Sequence, residues 1–322
     1  MKILVTGAAG FIGSNLCEYM LAKGYEVIGL DDLSTGHLKN LDTFKDHSKF
    51  KFIEGDIREK SICIKLTKGI DYVLHQAALG SVPRSLLDPI TSNEVNVSGF
   101  LNMLEASRQN GIKRFVYAAS SSTYGDSESL PKVENEIGKP LSPYAITKYV
   151  NELYADIYGS AYGLETIGLR YFNVFGKRQD PNGAYAAVIP KFIDQFLNKQ
   201  APTINGDGSF SRDFTYIDNV LQMNYLAMTT TKKEAINQVY NTAVGDRVTL
   251  LEMTNLIKNG LEKYDPYIAN IELVFGPFRE GDIPHSQASI EKAIKLLGYQ
   301  PSHNFNQGLE ASIAWYYKNH KK

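Results

Sequence analysis

"KILVTGAAGFIGSNL", residues 2–16, decides the fold. A short run of apolar, β-branched residues ends at a glycine, and a helical pattern of apolar residues follows. A run of that length and composition suits a strand buried on both faces. Gly7, Gly10 and Gly13 stand between strand and helix. One glycine allows the unusual backbone angles of a tight turn. A second lets a pyrophosphate approach the main chain, and a third lets helix pack closely on strand. The first helical turn, with Phe11 and Ile12, then offers unpaired N–H groups to phosphate oxygens. The spacing G-x-x-G-x-x-G departs by one residue from the commoner dinucleotide fingerprint. The flanking strand and helix carry the reading.

An acid completes it. Asp31 ends the second apolar run, 18 residues after Gly13. A carboxylate there can accept from both hydroxyls of an adenosine ribose and would repel a 2′-phosphate, which favours NAD over NADP. The segment after it supplies the small polar groups Asp32, Ser34, Thr35 and Gly36, and no arginine. Asp56 and Ile57 close the third run and would border adenine. Gln76, Ala77 and Ala78 close the fourth, where backbone passes the pyrophosphate and ribose. Asn96 and Tyr171 join the candidate cofactor set.

Outward from this unit, strand-like runs at 2–7, 26–31, 51–56, 71–77, 114–120 and 165–172 alternate with amphipathic stretches such as 11–23 and 92–110. Alternation of this kind implies an α/β fold, a Rossmann-type doubly wound parallel sheet with helices on both faces. After residue 175 the texture becomes irregular and rich in Gly and Pro, with helical patterns near 187–198, 249–262 and 304–318. The expected division is 1–175 for the dinucleotide and 176–322 for a smaller C-terminal α/β substrate-binding domain. The run 236–243 returns a strand to the main sheet.

"SPYAITKYVNE" (142–152) places Tyr144 and Lys148 one helical turn apart, on one face. Pro143 suits a first helical position. An ammonium beside a phenol favours the phenolate, and an oxidised nicotinamide adds positive charge, so Tyr144 can serve as a base. Lys148 can hold the nicotinamide ribose. Ser120, Ser121 and Ser122, in "AASSSTYG" (118–125), end the fifth strand, where a hydroxyl can bond the substrate oxygen and share its proton.

Composition narrows the classes. The 322 residues are 43% apolar and 21% charged, with a formal net charge of -1. Neither nucleic acid nor a membrane surface is the expected partner. Two cysteines, Cys17 and Cys63, lack metal-ligand spacing, so no metal is expected and reduced thiols in a cytoplasmic protein are. Met1–Gly7 reads as a strand and not as a leader segment.

These residues, followed by "RYFNVFG" (170–176), resemble the extended short-chain dehydrogenase/reductase family over nearly the whole chain. "SRDFTYIDN" (211–219) and "REGD" (279–282) resemble the UDP-hexose 4-epimerases. "HQAALGSVPRS", "NGAYAAVIP" and "HSQA" resemble the subgroup acting on UDP-N-acetylhexosamines. The resemblance implies that Asn173 holds the sugar diphosphate and that Ala187 and Val188 meet the nucleotide through backbone groups. Thr203, Ile204 and Asn205 would flank uracil, Arg212 and Arg279 would bind the pyrophosphate, and Asp282 would accept from the uridine ribose. Ser81 and Arg84 would sit near the sugar. Ser286 stands where simple UDP-galactose epimerases carry a bulky tyrosine, leaving room for an N-acetyl group.

The implied activity is a 4-epimerisation of UDP-GlcNAc to UDP-GalNAc, with NAD as cofactor and a homodimer formed through the helices at 92–110 and 143–162. UDP-Glc and the N-acetylated uronic acids are further possible substrates. Dehydratases of the family carry Asp-Glu where this chain has Ser121 and Ser122, and UDP-glucuronate decarboxylases carry a glutamate, so neither elimination has its groups. A UDP-glucuronate 4-epimerase remains an alternative, with Arg84 as the carboxylate contact. A non-catalytic NAD and UDP-sugar sensor is another.

Overall fold

The computed structural model describes residues 1–182, 186–278 and 283–320. Six strands arise in order: β1 Lys2–Thr6, β2 Glu26–Asp31, β3 Phe50–Glu54, β4 Tyr72–His75, β5 Arg114–Ser120 and β6 Thr166–Tyr171. Four short strands follow: β7 Val174–Phe175, β8 Thr203–Asn205, β9 Ser211–Arg212 and β10 Thr215–Tyr216. Then come β11 Gln238–Thr242, β12 Val248–Thr249, β13 Val274–Gly276 and β14 His285–Ser286. The large sheet has seven strands in the order β11-β6-β5-β4-β1-β2-β3, and every pairing is parallel. Strand order reverses beside β1, which opens a crevice at the carboxyl ends of β1 and β4.

The helices are α1 Phe11–Ala22, α2 Lys60–Thr67, α3 Val82–Leu87, α4 Pro89–Asn93, α5 Phe100–Gln109 and α6 Pro143–Tyr162. Beyond them lie α7 Val188–Leu197, α8 Ile217–Thr229, α9 Leu250–Glu262, α10 Glu291–Leu297 and α11 Phe305–His320. Among the described residues, no helix is long and apolar enough to cross a membrane.

Alternation along β1 explains the layering. Ile3 and Val5 face one way, into a core with Leu16 and Met20 of α1 and Val220 and Met223 of α8. Leu4 faces the other way, into a core with Cys63 of α2, Phe100 and Leu104 of α5, and Ala155 of α6. Each such fully buried aliphatic side chain contributes roughly 1.5–3 kcal/mol from removal of apolar surface from water. The sheet is therefore doubly wound.

Local signals set the catalytic-candidate helix. Ser142 caps α6 by accepting from Ala145 N at 3.1 Å, Pro143 takes the first turn, and Gly163 at φ 70° ends it. The stretch 92–110 is not one regular helix. α4 passes through a π-helical turn, Glu94–Gly99, into α5. A Cβ on Gly99 would lie 2.6 Å from Ile57 Cδ1, so a side chain here would require Ile57 to shift. The third and fourth strands stop earlier than their apolar runs, at Glu54 and His75, because the chain there leaves the sheet to line the crevice.

In the C-terminal part, β9 pairs antiparallel with β12 and parallel with β14, and β8 pairs parallel with β13. α7, α9 and α11 pack around Ile193, Phe196, Ile257 and Ile313.

Candidate active site

A cleft of about 420 Å³ lies at the carboxyl end of the sheet. Gly7, Gly10, Phe11, Ile12 and Gly13 line its floor, with Asp31, Asp32, Ser34 and Thr35 at one end and Ile57, Gln76, Ala77 and Ala78 along the wall. Gly7 sits at φ 67°, and a Cβ there would stand 2.8 Å from Ala77 N. A Cβ on Gly13 would collide with the Gly7 carbonyl. The turn can therefore pack this closely on the fourth strand's end and on its own helix only because these positions lack side chains. No side chain caps α1, which leaves its first N–H groups facing the cleft.

Asp31 is buried, and its two oxygens accept from Ala9 N at 2.9 Å and Leu33 N at 2.8 Å. Burial pushes its carboxyl up in spite of these bonds. The carboxylate is thus held rigid at the cleft end, with lone pairs left for ribose hydroxyls. Gly36 lies against it, since a Cβ there would meet Asp31 Oδ1 at 2.8 Å. These features fit a dinucleotide.

Six of the expected cofactor residues are not among those lining the cleft: Gly36, Asp56, Asn96, Tyr144, Lys148 and Tyr171. Asp56 turns to Arg58, at 2.6 Å, and does not line the cleft; the adjacent guanidinium is its nearer attraction. Asn96 clamps the cleft wall from behind. It accepts from Leu79 N at 2.7 Å and donates to Leu79 O at 3.1 Å and Thr147 Oγ1 at 3.2 Å. Tyr171 donates to Gln76 Oε1 at 2.9 Å and accepts from Asn224 Nδ2 at 2.9 Å.

Several residues that support the site carry no sequence signal. Thr6 Oγ1 accepts from Gln76 N at 3.2 Å and Ala77 N at 3.1 Å, and bonds His75 Nδ1 at 2.9 Å. With both acceptor positions filled, the threonine hydrogen points to His75. Burial pushes that imidazole down to about 3, so it stays neutral. Gln179, Gly80 and Val95 line the cleft without any expectation from the sequence. Asn224 comes from α8, a helix outside the periodic patterns noted.

β5 and α6 bring the proton-handling groups together. The Tyr144 phenol faces Ser120, whose hydroxyl opposes the upward push of burial on it. Ser120 Oγ accepts from Ser122 N at 3.2 Å and from Ser122 Oγ at 2.9 Å. Ser121 begins the 3₁₀ turn Ser121–Tyr124 and is half-buried. Ser120 is therefore the serine that meets the phenol, and Ser122 orients it. Tyr144 N donates to the buried Ser85 Oγ at 3.0 Å, which docks α3 against the start of α6.

Electrostatics differ from the sequence expectation. Lys148 is buried, donates to Ala118 O at 2.9 Å, and has its pKa pulled down to about 8 by burial. Desolvation raises the Tyr144 phenol above its usual value, against a lesser pull from Ser120. In the protein alone, desolvation outweighs the pull of the Ser120 hydroxyl.

The other candidates group around β9. Ser286 pairs with Arg212 across β14 and β9, and both are half-buried. Arg212 Nη1 donates to Ser211 O at 3.0 Å and Pro284 O at 3.1 Å. Asn173, at φ 36°, donates to Asp213 O at 3.0 Å. Ala187 stands just before α7 without a side-chain cap, so backbone N–H groups open there with Val188. Thr203 and Asn205 are exposed, while Ile204 is 1% exposed and offers only its backbone. Ser81 caps α3 by accepting from Arg84 N at 3.2 Å, and Arg84 is half-buried. Arg279 and Asp282 lie outside the described residues.

Comparison with known proteins agrees with this geometry. The NAD dependent epimerase/dehydratase family matches residues 3–243. A putative UDP-glucose 4-epimerase of Methanocaldococcus jannaschii is 36% identical over 321 residues, covering 99% of both chains. The UDP-N-acetylglucosamine 4-epimerase of Methanobrevibacter ruminantium, solved with UDP-N-acetylmuramic acid, superposes with a TM-score of 0.92 at 36% identity, covering 99% of this chain and 98% of that one. The UDP-glucuronic acid 4-epimerase of Bacillus cereus, solved with UDP-glucuronic acid and NAD, gives 0.87 at 32%, covering 99% and 100%. The chain belongs to the NAD dependent epimerase/dehydratase family, and NAD is its cofactor.

Proposed function

We propose that the protein is a UDP-sugar 4-epimerase whose preferred pair is UDP-GlcNAc and UDP-GalNAc. The observation that carries the reading is the convergence of Ser120, Tyr144 and Lys148 at the end of β5, with serines and not carboxylates at 121 and 122. Such a site handles one proton and has no acid–base pair for an elimination. Bound NAD supplies reversible hydride exchange and, when oxidised, a positive charge near the phenol.

Gly7, Gly10 and Gly13 with the α1 N-terminus would hold the pyrophosphate, and Asp31 the adenosine ribose. Lys148 would hold the nicotinamide ribose. Tyr144 takes the proton from the hydroxyl on sugar carbon 4, while Ser120 bonds the same oxygen. Ser122 fills the acceptor positions of Ser120, so the Ser120 hydrogen is directed to the phenol or the sugar. The 4-keto sugar then turns about its phosphate link, and Tyr144 returns the proton with the opposite face presented. Arg212, Asn173 and the open N-terminus of α7 are suited to anchor the diphosphate through this turn.

Ser286 supports the N-acetylated substrate: a small side chain beside Arg212 leaves space where a ring would close it. The likeness to the M. ruminantium enzyme points the same way. The division of labour we infer is 1–175 with β11 for NAD and 176–322 for the sugar nucleotide. The free, buried thiols of Cys17 and Cys63 suit the reducing cytoplasm. We also infer a homodimer. Ile146, Leu153 and Ile157 form an exposed apolar row on α6, beside exposed Leu86, Leu87 and Ile90.

Incubation with UDP-GlcNAc, followed by NMR, tests the reading; UDP-GalNAc at equilibrium is the expected product. Turnover of UDP-glucuronate alone would support the uronate reading, with half-buried Arg84 as the carboxylate contact. No turnover of any UDP-sugar would leave a sensor.

A further inference from the structure

Asp213 is fully buried between β9 and β10, and no step described above uses it. Its carboxylate accepts backbone N–H bonds from Val244 at 3.1 Å and Gly245 at 3.0 Å, just beyond β11. It also accepts from Ala288 at 3.3 Å, two residues past Ser286. Its main chain closes two more bonds. The N–H donates to Ser286 O at 2.9 Å, and the carbonyl accepts from the Asn173 side chain at 3.0 Å.

Three groups assigned to the diphosphate and sugar thus meet at one residue. Arg212 is its chain neighbour, Ser286 is bonded to its N–H, and Asn173 to its carbonyl. Asn173 is held at φ 36°, a backbone state that costs energy for a residue with a side chain. A side-chain amide has two N–H groups, and the bond to Asp213 uses one. The tether therefore fixes where the other can point. Only an acceptor with no N–H of its own can meet three converging donors, which is why a carboxylate fits and a carboxamide would place N–H against N–H. Burial pushes this carboxyl up to about 7 in spite of the three bonds, so it is kept in place against its own solvation.

We propose that Asp213 is a positioning residue for the sugar nucleotide, drawing the Asn173 turn, the Arg212 strand and the Ser286–Ala288 segment into one binding surface. The inference rests on the UDP-sugar reading of this half of the molecule.

The test compares the NAD-loaded enzyme with its Asp213→Asn variant. UDP affinity is measured by calorimetry, and KM and kcat with UDP-GlcNAc. The expected result is a loss of UDP affinity of tenfold or more and a matching rise in KM, with kcat within about threefold and NAD content unchanged. Unchanged UDP affinity overturns the proposal. So does a fall in NAD content and melting temperature with KM unchanged, which is what a merely structural role would give. Hydrogen exchange on the wild type serves if the variant does not fold. UDP should slow exchange at Val244, Gly245 and Ala288, and no change at these three amides overturns the proposal. Wild type that binds no UDP at all refutes the substrate reading itself, a result distinct from either.

Discussion

Lys148 Nζ stands 6.0 Å from the centre of the Tyr144 ring and donates, at 2.9 Å, to the carbonyl of Ala118. The ammonium is near the phenol but anchored to β5, two residues before Ser120. One side chain thus locks the helix that carries the tyrosine to the strand that carries the serine. Desolvation raises the phenol in the protein alone, so the base role proposed for Tyr144 calls for the added positive charge of an oxidised nicotinamide.

Tyr144→Phe removes the hydroxyl proposed to take the proton. Turnover should fall by roughly 10²–10⁴, the usual contribution of a positioned acid–base group. NAD released on denaturation should stay at the wild-type level. A near-normal rate with full NAD would take the base role away from Tyr144.

Lys148→Met tests the buried charge. Burial brings the lysine to about 8 from an ordinary 10.5, so the folded chain holds this proton less firmly than the unfolded chain. The cost to folding is full below pH 8 and fades as pH rises toward 10.5. That gap corresponds to roughly 3 kcal/mol, less what the Ala118 bond returns. The methionine variant should therefore be more stable than wild type by about 1–2 kcal/mol at pH 7 in the cofactor-free state. The advantage should vanish near pH 10.5, and turnover should be lost throughout. Denaturant melts at both pH values decide it; a less stable variant at pH 7 refutes the argument.

Asp31→Asn replaces one acceptor oxygen with an N–H group, facing either Ala9 N or Leu33 N. Affinity of the stripped protein for NAD should fall by roughly 10–100-fold, the worth of a hydrogen bond to a charged group. NADP should lose less, because repulsion of its 2′-phosphate is removed. Calorimetry with both dinucleotides measures the ratio, and an unchanged NAD/NADP preference would refute the assignment.

Ser286→Tyr places a ring beside Arg212 on β14. Conversion of UDP-GlcNAc should drop by tenfold or more, while that of UDP-Glc changes by less than threefold. Equal losses in the two kcat/KM values would put the substrate gate elsewhere.

Much of this was legible because the signals are local. The strand–glycine–helix unit, Asp31 at a strand end and the Ser142-Pro143 start of α6 each lie within a few consecutive residues, and the structure places them where those residues imply. Other features depend on pairs far apart in the chain. Nothing near Thr6 announces that it holds Gln76 and Ala77, and nothing near Asn224 announces its bond to Tyr171. That Arg58 holds Asp56 is likewise not legible from a strand-end acid alone. A motif position does not say which way its side chain faces, and that of Ile204 is buried. For the phenol, helix spacing shows the lysine beside it but not the desolvation around both.

The sheet has one long detour: the chain leaves β6 at Tyr171 and does not return until β11 begins at Gln238. During synthesis, a nascent chain that has emerged only as far as Thr229 shows β6 to water as an unguarded flank with its parallel-bonding groups unmatched. The cofactor half cannot be finished on the ribosome until Thr242 has cleared the exit tunnel. In that interval the bare edge of β6 is open to pairing with a strand of another chain.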